Sequence, residues 1–211
     1  LGSTLFLFAL GAIYAETGSL NLADLADRMS LVDGAESVGI RIAAVLLLLV
    51  FAIKAAIAPL HFWLPSSYSE APAPVAALFA IMTKVGAYAI IRVYTIAFPP
   101  DVEVTAGLHG LWLLPAALVT MVIGAVGVLA AKKLDRLVAF SVIGSMGMVM
   151  VAISQFTPVS IAAALYYMVH STLAAATLFL ISDLVRANRS HLRLTTELPV
   201  SGAALTAAAF F

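Results

Sequence analysis

Two lysines and a histidine stand where a charged side chain is hardest to keep. Of the four lysines in 211 residues, Lys54 and Lys84 each fall deep inside a long apolar run, and His170 lies near the centre of another. If those runs cross a bilayer, each central cation costs at least ~2.5–3.5 kcal/mol on insertion scales. Snorkelling to the interface rescues only residues within a turn or two of a helix end, and all three lie deeper. Desolvation penalises the cationic form of such groups. A basic group at mid-depth that can lose and regain a proton is what a proton relay requires. The competing reading is structural: a lysine tying helices together through carbonyls, or a histidine satisfied by one interhelical hydrogen bond. Three such groups in three separate runs favour the relay.

Their neighbours extend the pattern. Lys84, Tyr88 and Arg92 recur at i, i+4 and i+8, one polar stripe on an apolar helix, with Arg92 close enough to the end to snorkel. Tyr167, His170 and Thr177 make a second stripe, with Ser171 and Thr172 beside it. Both stripes are expected to face a bundle interior or a hydrated cavity. Pro59 follows Lys54 by five residues, and a mid-span proline breaks the helix and frees carbonyls near the lysine. His61, on the same helical face as Lys54 and ~10 Å further along, is a secondary candidate beside an interfacial packing role. Glu70, in a polar loop over 66–74, is another secondary candidate beside a solvated or capping role. Thr120/Gly124 and Ser141/Ser145 have the small-xxx-small spacing of close helix packing.

The elements that would position these residues are membrane spans. Hydrophobic residues make up 63% of the chain and charged ones 10%, against about a quarter charged in soluble domains; the mean hydropathy is +1.09. The expected fold is therefore an all-α polytopic membrane protein, a single transmembrane domain over 1–211. It has five complete spans, near 40–64, 75–98, 108–131, 137–154 and 160–185, the first broken near Pro59. The apolar stretches 1–14 and 200–211 are each shorter than the ~20 residues a span needs, so they are read as two partial helices of an internal fragment. The loops sort by charge. Glu16, Asp24, Asp27, Asp33 and Glu36 oppose Arg28 in one, and Asp101 and Glu103 occupy another. Lys132, Lys133 and Arg136, then Arg186, Arg189 and Arg193, occupy the alternate loops. If each segment crosses once, the basic loops 132–136 and 186–193 share one side, which the positive-inside rule makes cytoplasmic, with the inner membrane as the location. Zero net charge and the lack of basic runs argue against nucleic acid. Without cysteine there are no thiolate metal sites or disulfides. No phosphate-binding glycine loop, metal-ligand cluster or soluble catalytic arrangement is present, so no cofactor and no enzyme chemistry of its own is expected.

Residues 54–92, KAAIAPLHFWLPSSYSEAPAPVAALFAIMTKVGAYAIIR, carry a more specific pattern. A mid-helix lysine precedes P-L-H-x-W-L-P, then E-A-P-x-P-V, then a second lysine before G-x-Y and an arginine. This resembles the antiporter-like family: the large proton-pumping subunits of respiratory complex I and their relatives in Mrp-type Na⁺/H⁺ antiporters and membrane hydrogenases. The resemblance implies the central part of a subunit of about fourteen helices. It also implies partner membrane subunits in a hetero-oligomeric complex, the lipid bilayer around it, and protons moving against a monovalent cation, Na⁺ first. By the same resemblance Lys54 matches a broken-helix lysine coupled to a glutamate on an earlier helix. Lys84 matches the basic residue of the next helix, and His170 a histidine of the eleventh. Ala174 stands where complex I subunits often carry lysine, and Ser145 where relatives often carry histidine. Both departures point to the D-type branch of the Mrp antiporter subunits. The alternative is a proton-pumping membrane-arm subunit of an NADH:quinone oxidoreductase or membrane hydrogenase.

Overall fold

Gly18, Ala56 and Phe156, all left-handed, mark three of the helix ends. The computed structural model describes residues 2–29, 38–99, 108–189 and 193–194. Eight helices occupy them: α1 (Gly2–Thr17), α2 (Leu22–Met29), α3 (Val38–Lys54), α4 (Trp63–Glu70), α5 (Ala73–Ile96), α6 (Leu108–Ala130), α7 (Leu134–Ser154) and α8 (Pro158–Arg189). Four of them, α5 to α8, are long and apolar enough to cross a membrane. A fifth span results if α1 and α2, bent by 52° across a short break, count as one. The protein is an all-α polytopic membrane protein, with no strand among the described residues beyond a single antiparallel bridge, Lys133 with Arg193.

Three boundaries differ from the sequence reading. The first expected span, 40–64, is two helices with turns between them, and α3 already ends at Lys54. The expected loop over 66–74 is helical as far as Glu70, because Pro65 falls in the first turn of α4, where its missing N–H costs nothing. The acidic segment after α1 contains α2, whose Asn21 Oδ1 accepts from Ala23 N at 3.1 Å as an N-cap, and whose Arg28 pairs with Asp24 at 3.1 Å. Asp33, Glu36, Asp101, Glu103 and the stretch 200–211 lie outside the described residues.

Small residues set the packing. An added Cβ on Gly124 would fall 2.4 Å from the Gly144 backbone, and one on Gly147 would fall 2.6 Å from Met121 N. The α6–α7 contact is thus backbone against backbone, as small-residue membrane interfaces allow. Glycines make this seam; of the expected pairs, Gly124 belongs to it, while Ser141 and Ser145 border a pocket shared with α8. Helix α5 packs against both α3 and α8, and α7 against α4, α6 and α8. At one end, Leu25 and Met29 of α2 join Tyr94, Ala97 and Phe98 in a common apolar cluster. At the other, the two basic segments meet: Lys133 bridges Arg193, Leu194 N donates to Lys132 O at 3.1 Å, and Arg186 pairs with Asp135 at 3.4 Å. The basic segments therefore share an end of the bundle, as their alternation along the chain requires.

The end of α3 closes in a Schellman arrangement. Ile57 N donates to Ala52 O at 3.0 Å and Ala56 N to Ile53 O at 3.1 Å, with Ala56 left-handed at φ 54. A left-handed non-glycine residue costs ~1–2 kcal/mol, and Ala56 is fully buried. Ala56→Gly should be close to neutral, since relief of strain is offset by losing a buried methyl worth ~0.8 kcal/mol. Ala56→Val adds branching and bulk to a left-handed, filled position and should lower stability by at least ~2 kcal/mol. Thermal melting of the intact protein carrying each substitution measures both.

Candidate functional site

The break after α3 is held from three directions. Trp63 Nε1 donates to Ile53 O at 3.0 Å, fastening α4 back onto the end of α3. Ala58 N donates at 2.8 Å to Thr120 Oγ1, which itself donates at 2.6 Å to Ala116 O. Thr120 is fully buried, so one α6 hydroxyl satisfies an amide that the break would otherwise leave unpaired. From the third side comes α5: a Cβ on Gly86 would lie 2.8 Å from Ala55 N and 3.0 Å from Phe51 O. The carbonyls of Phe51, Ala52 and Ile53 are taken by this closure and by Trp63.

Lys54 is the last residue of α3, and its side chain is exposed on the outside of the described bundle. The partial negative charge at a helix C-terminus favours a cation there by ~0.3–1 kcal/mol. His61 is not on a continuous helical face with Lys54, because the chain from Ala55 to Phe62 runs through turns. It sits in the last of these, half-buried, and its Nδ1 is buried without a hydrogen-bond partner among the described residues.

Lys84 is different in kind. It lies halfway along α5 and is 6% exposed, on a helix face with Ala80, Thr83 and Ala87, each fully buried. Its Nζ has no hydrogen-bond partner among the described residues. Alanines at i−4 and i+3 leave it room but no acceptor. The stripe it was expected to begin does not stay inside: Tyr88 is half exposed and Arg92 lies on the surface. At 3.6 residues per turn, steps of four drift round the helix by ~40° each, enough to carry the eighth residue out of the buried face.

His170 is exposed on α8, with its ring 6.2 Å from that of Tyr167. The second stripe is likewise not enclosed, as Thr177 is also exposed. The imidazole borders a pocket of about 160 Å³ that also holds Ser141, Ser145, Ser171 and Ala174. The serine hydroxyls donate to Val138 O, Val142 O and Met168 O at 2.7, 2.8 and 3.3 Å. Their lone pairs are left as acceptors for a donor entering the pocket. Glu70 ends α4 at the basic end and lines a separate cleft.

Lys54, Lys84 and His170 are thus carried on three helices with α5 in the middle, and Glu70 stands apart. Of the residues that shape the site without being ionisable, Ala56 escaped the sequence reading, Thr120 was read only as helix packing, and Gly86 only as part of the pattern that follows the second lysine. Among the described residues no three His, Asp or Glu side chains gather as metal ligands.

A family model described as NADH:quinone oxidoreductase/Mrp antiporter, transmembrane, matches residues 1–204. A D-type Na⁺/H⁺ antiporter subunit of Bacillus subtilis (strain 168) is 42% identical over 183 residues, covering 86% of this chain and 36% of the relative. A protein of Rhizobium meliloti (strain 1021), named as a probable K⁺/H⁺ antiporter subunit of the same D type, is 36% identical over 187 residues, covering 89% of this chain and 35% of the relative. The structure of the Mrp complex from Dietzia sp. DQ12-45-1b contains a similar chain: TM-score 0.81, 28% identity, 92% of this chain and 34% of that one. The chain spans about a third of the length of the curated relatives it matches.

Proposed function

Because the chain belongs to the NADH:quinone oxidoreductase/Mrp antiporter transmembrane family, we propose that it is the proton-translocating part of a monovalent cation/proton antiporter subunit. The observation that carries this is Lys84, an ammonium enclosed at half-depth with no acceptor among the described residues, flanked by the helices that bear Lys54 and His170. A lysine without a fixed partner is free to exchange its proton with water or with a neighbouring base. In this reading a proton steps between Lys54, Lys84 and His170 through water, and each charge biases the next by repulsion. His61 and Glu70, toward the basic end, serve as entry groups. That end faces the cytoplasm by its lysines and arginines, and the protein is a multi-pass subunit of an inner-membrane assembly. The relatives' names divide between Na⁺ and K⁺; Na⁺ is the first choice, on the higher identity. The second reading, a proton-pumping membrane-arm subunit of a redox complex, uses the same relay and is kept open by the family's own breadth.

The test is exchange in inside-out vesicles carrying the complete assembly. Added Na⁺ should collapse a respiration-built ΔpH, and Lys54→Ala should abolish that collapse. Full exchange by Lys54→Ala at normal expression would remove Lys54 from the relay. A protein inert to Na⁺ and K⁺ that pumps protons during NADH oxidation would establish the second reading.

A further inference from the structure

At the basic end of the bundle, the end of α4, the α6–α7 turn and residues 193–194 enclose a cleft of about 1040 Å³. Lys132, Lys133, Arg136 and Arg193 stand around it, with Glu70 and Asp135 as the carboxylates. Asp135 is already answered: it is 8% exposed, its Oδ2 pairs with Arg186 at 3.4 Å, and its Oδ1 accepts from Arg136 N at 2.8 Å. Arg186 is not among the residues lining the cleft. Four cations therefore face one unpaired carboxylate, Glu70, and none of the four is ion-paired among the described residues. They are not scattered on loose loops. The Lys133–Arg193 bridge and the Leu194 N to Lys132 O bond fasten the two basic segments to each other.

We propose that this cleft binds a phosphate-bearing anion, and that its source is the headgroup of an anionic phospholipid. Depth, size and lining favour the lipid over free phosphate. Helix α6 has 23 residues, a rise of ~34 Å, which crosses a hydrocarbon core of ~30 Å and leaves the turn that follows at headgroup level. The volume far exceeds that of a phosphate ion and suits a headgroup with its glycerol. Gly127, Ala130 and Phe140 add apolar lining beside the four cations. A two-part lining suits an amphiphile, because each half of the lipid meets the surface it prefers. Basic pockets of this kind between membrane helices are suited to acidic lipid headgroups.

The experiment uses the complete assembly, reconstituted in phosphatidylcholine vesicles with or without 20 mol% phosphatidylglycerol, then extracted and weighed by native mass spectrometry. The wild type should retain phosphatidylglycerol on the subunit carrying this chain. Lys132→Gln/Lys133→Gln/Arg136→Gln should lose it at least tenfold, while the Lys-to-Arg double substitution at 132 and 133 keeps it. Arg92→Gln, a surface cation on another helix, should change nothing. Should the triple variant fail to assemble, retention by the wild type across a salt series serves instead, and it should weaken as salt rises. Equal retention by wild type and triple variant, or salt-independent retention, overturns the proposal. Displacement of the lipid by 10 mM inorganic phosphate would confirm the phosphate chemistry. Protection of the delipidated protein by phosphate alone, with no lipid retained, would overturn the lipid as its source.

Discussion

Replacing Lys84 by methionine is expected to abolish cation-driven proton exchange and, in the same protein, to raise the melting temperature. The two effects share one cause. An ammonium 6% exposed and without an acceptor among the described residues carries a burial penalty that hydrogen bonds do not offset, on the order of 1–3 kcal/mol for an unsatisfied polar group and more for a charge. Methionine has nearly the same length and removes that penalty, so stability should rise by at least ~1 kcal/mol. Exchange should fall to the level of empty vesicles, because a thioether holds no proton. The opposite signs separate relay from scaffold. A lysine kept for structure would lose stability on the same change, and exchange would fail only as far as folding did. Lys84→Arg sharpens the test, since it keeps the charge but cannot release a proton. It too should be inactive. Lower melting temperatures for Lys84→Met with substantial exchange remaining would sink the relay at this position.

The residues proposed for the relay were legible in the sequence, and those that arrange them were mostly not. Lys54, Lys84 and His170 stood out because a basic residue in the middle of an apolar run has no cheap explanation in a membrane. The four longest spans were legible to within a few residues, as composition alone requires helices there. The break was expected near Pro59 and lies there, in the turns over 55–62, with α3 stopping at Lys54. A proline that cannot donate disrupts the turn before it, and the chain then closes on Ala56, a residue with no left-handed signature in sequence. Such a residue persists where its surroundings over-determine it, and the Thr120 hydroxyl and Trp63 indole supply that from elsewhere in the chain. The polar stripes are not enclosed within the described bundle for a related reason: helical spacing says which residues share a face, not which face a neighbouring helix covers. Conversely, the alternation of basic and acidic loops foretold a tertiary contact. Lys132, Lys133 and Arg193 meet because topology leaves them on one side.

Gly86→Ala should reduce exchange by ~10–100-fold in a protein that still assembles, although it adds a single methyl group. The position allows no cheap accommodation. An added Cβ would lie 2.8 Å from Ala55 N, 3.0 Å from Phe51 O and 3.1 Å from the Lys54 carbonyl carbon. All three are backbone atoms at the end of α3 or one residue beyond it, so no side chain can swing aside. Helix α5 must move outward, or the 2.8 Å bond from Ala55 N to Phe51 O that ends α3 must open; either costs ~1–3 kcal/mol. Each route changes the separation between Lys54, at the tip of α3, and Lys84, two residues from the methyl on α5. Transfers between fixed groups are steep in distance, and a displacement of about 1 Å can cost ~10²-fold in rate. Gly11→Ala provides the contrast: its Cβ would meet nothing within 4 Å. Since alanine favours helix over glycine by ~1 kcal/mol, that variant should be neutral or slightly stabilised with exchange intact. If Gly86→Ala and Gly11→Ala exchange protons alike, the approach of α5 to the end of α3 is only packing, and the spacing of the two lysines does not control the relay.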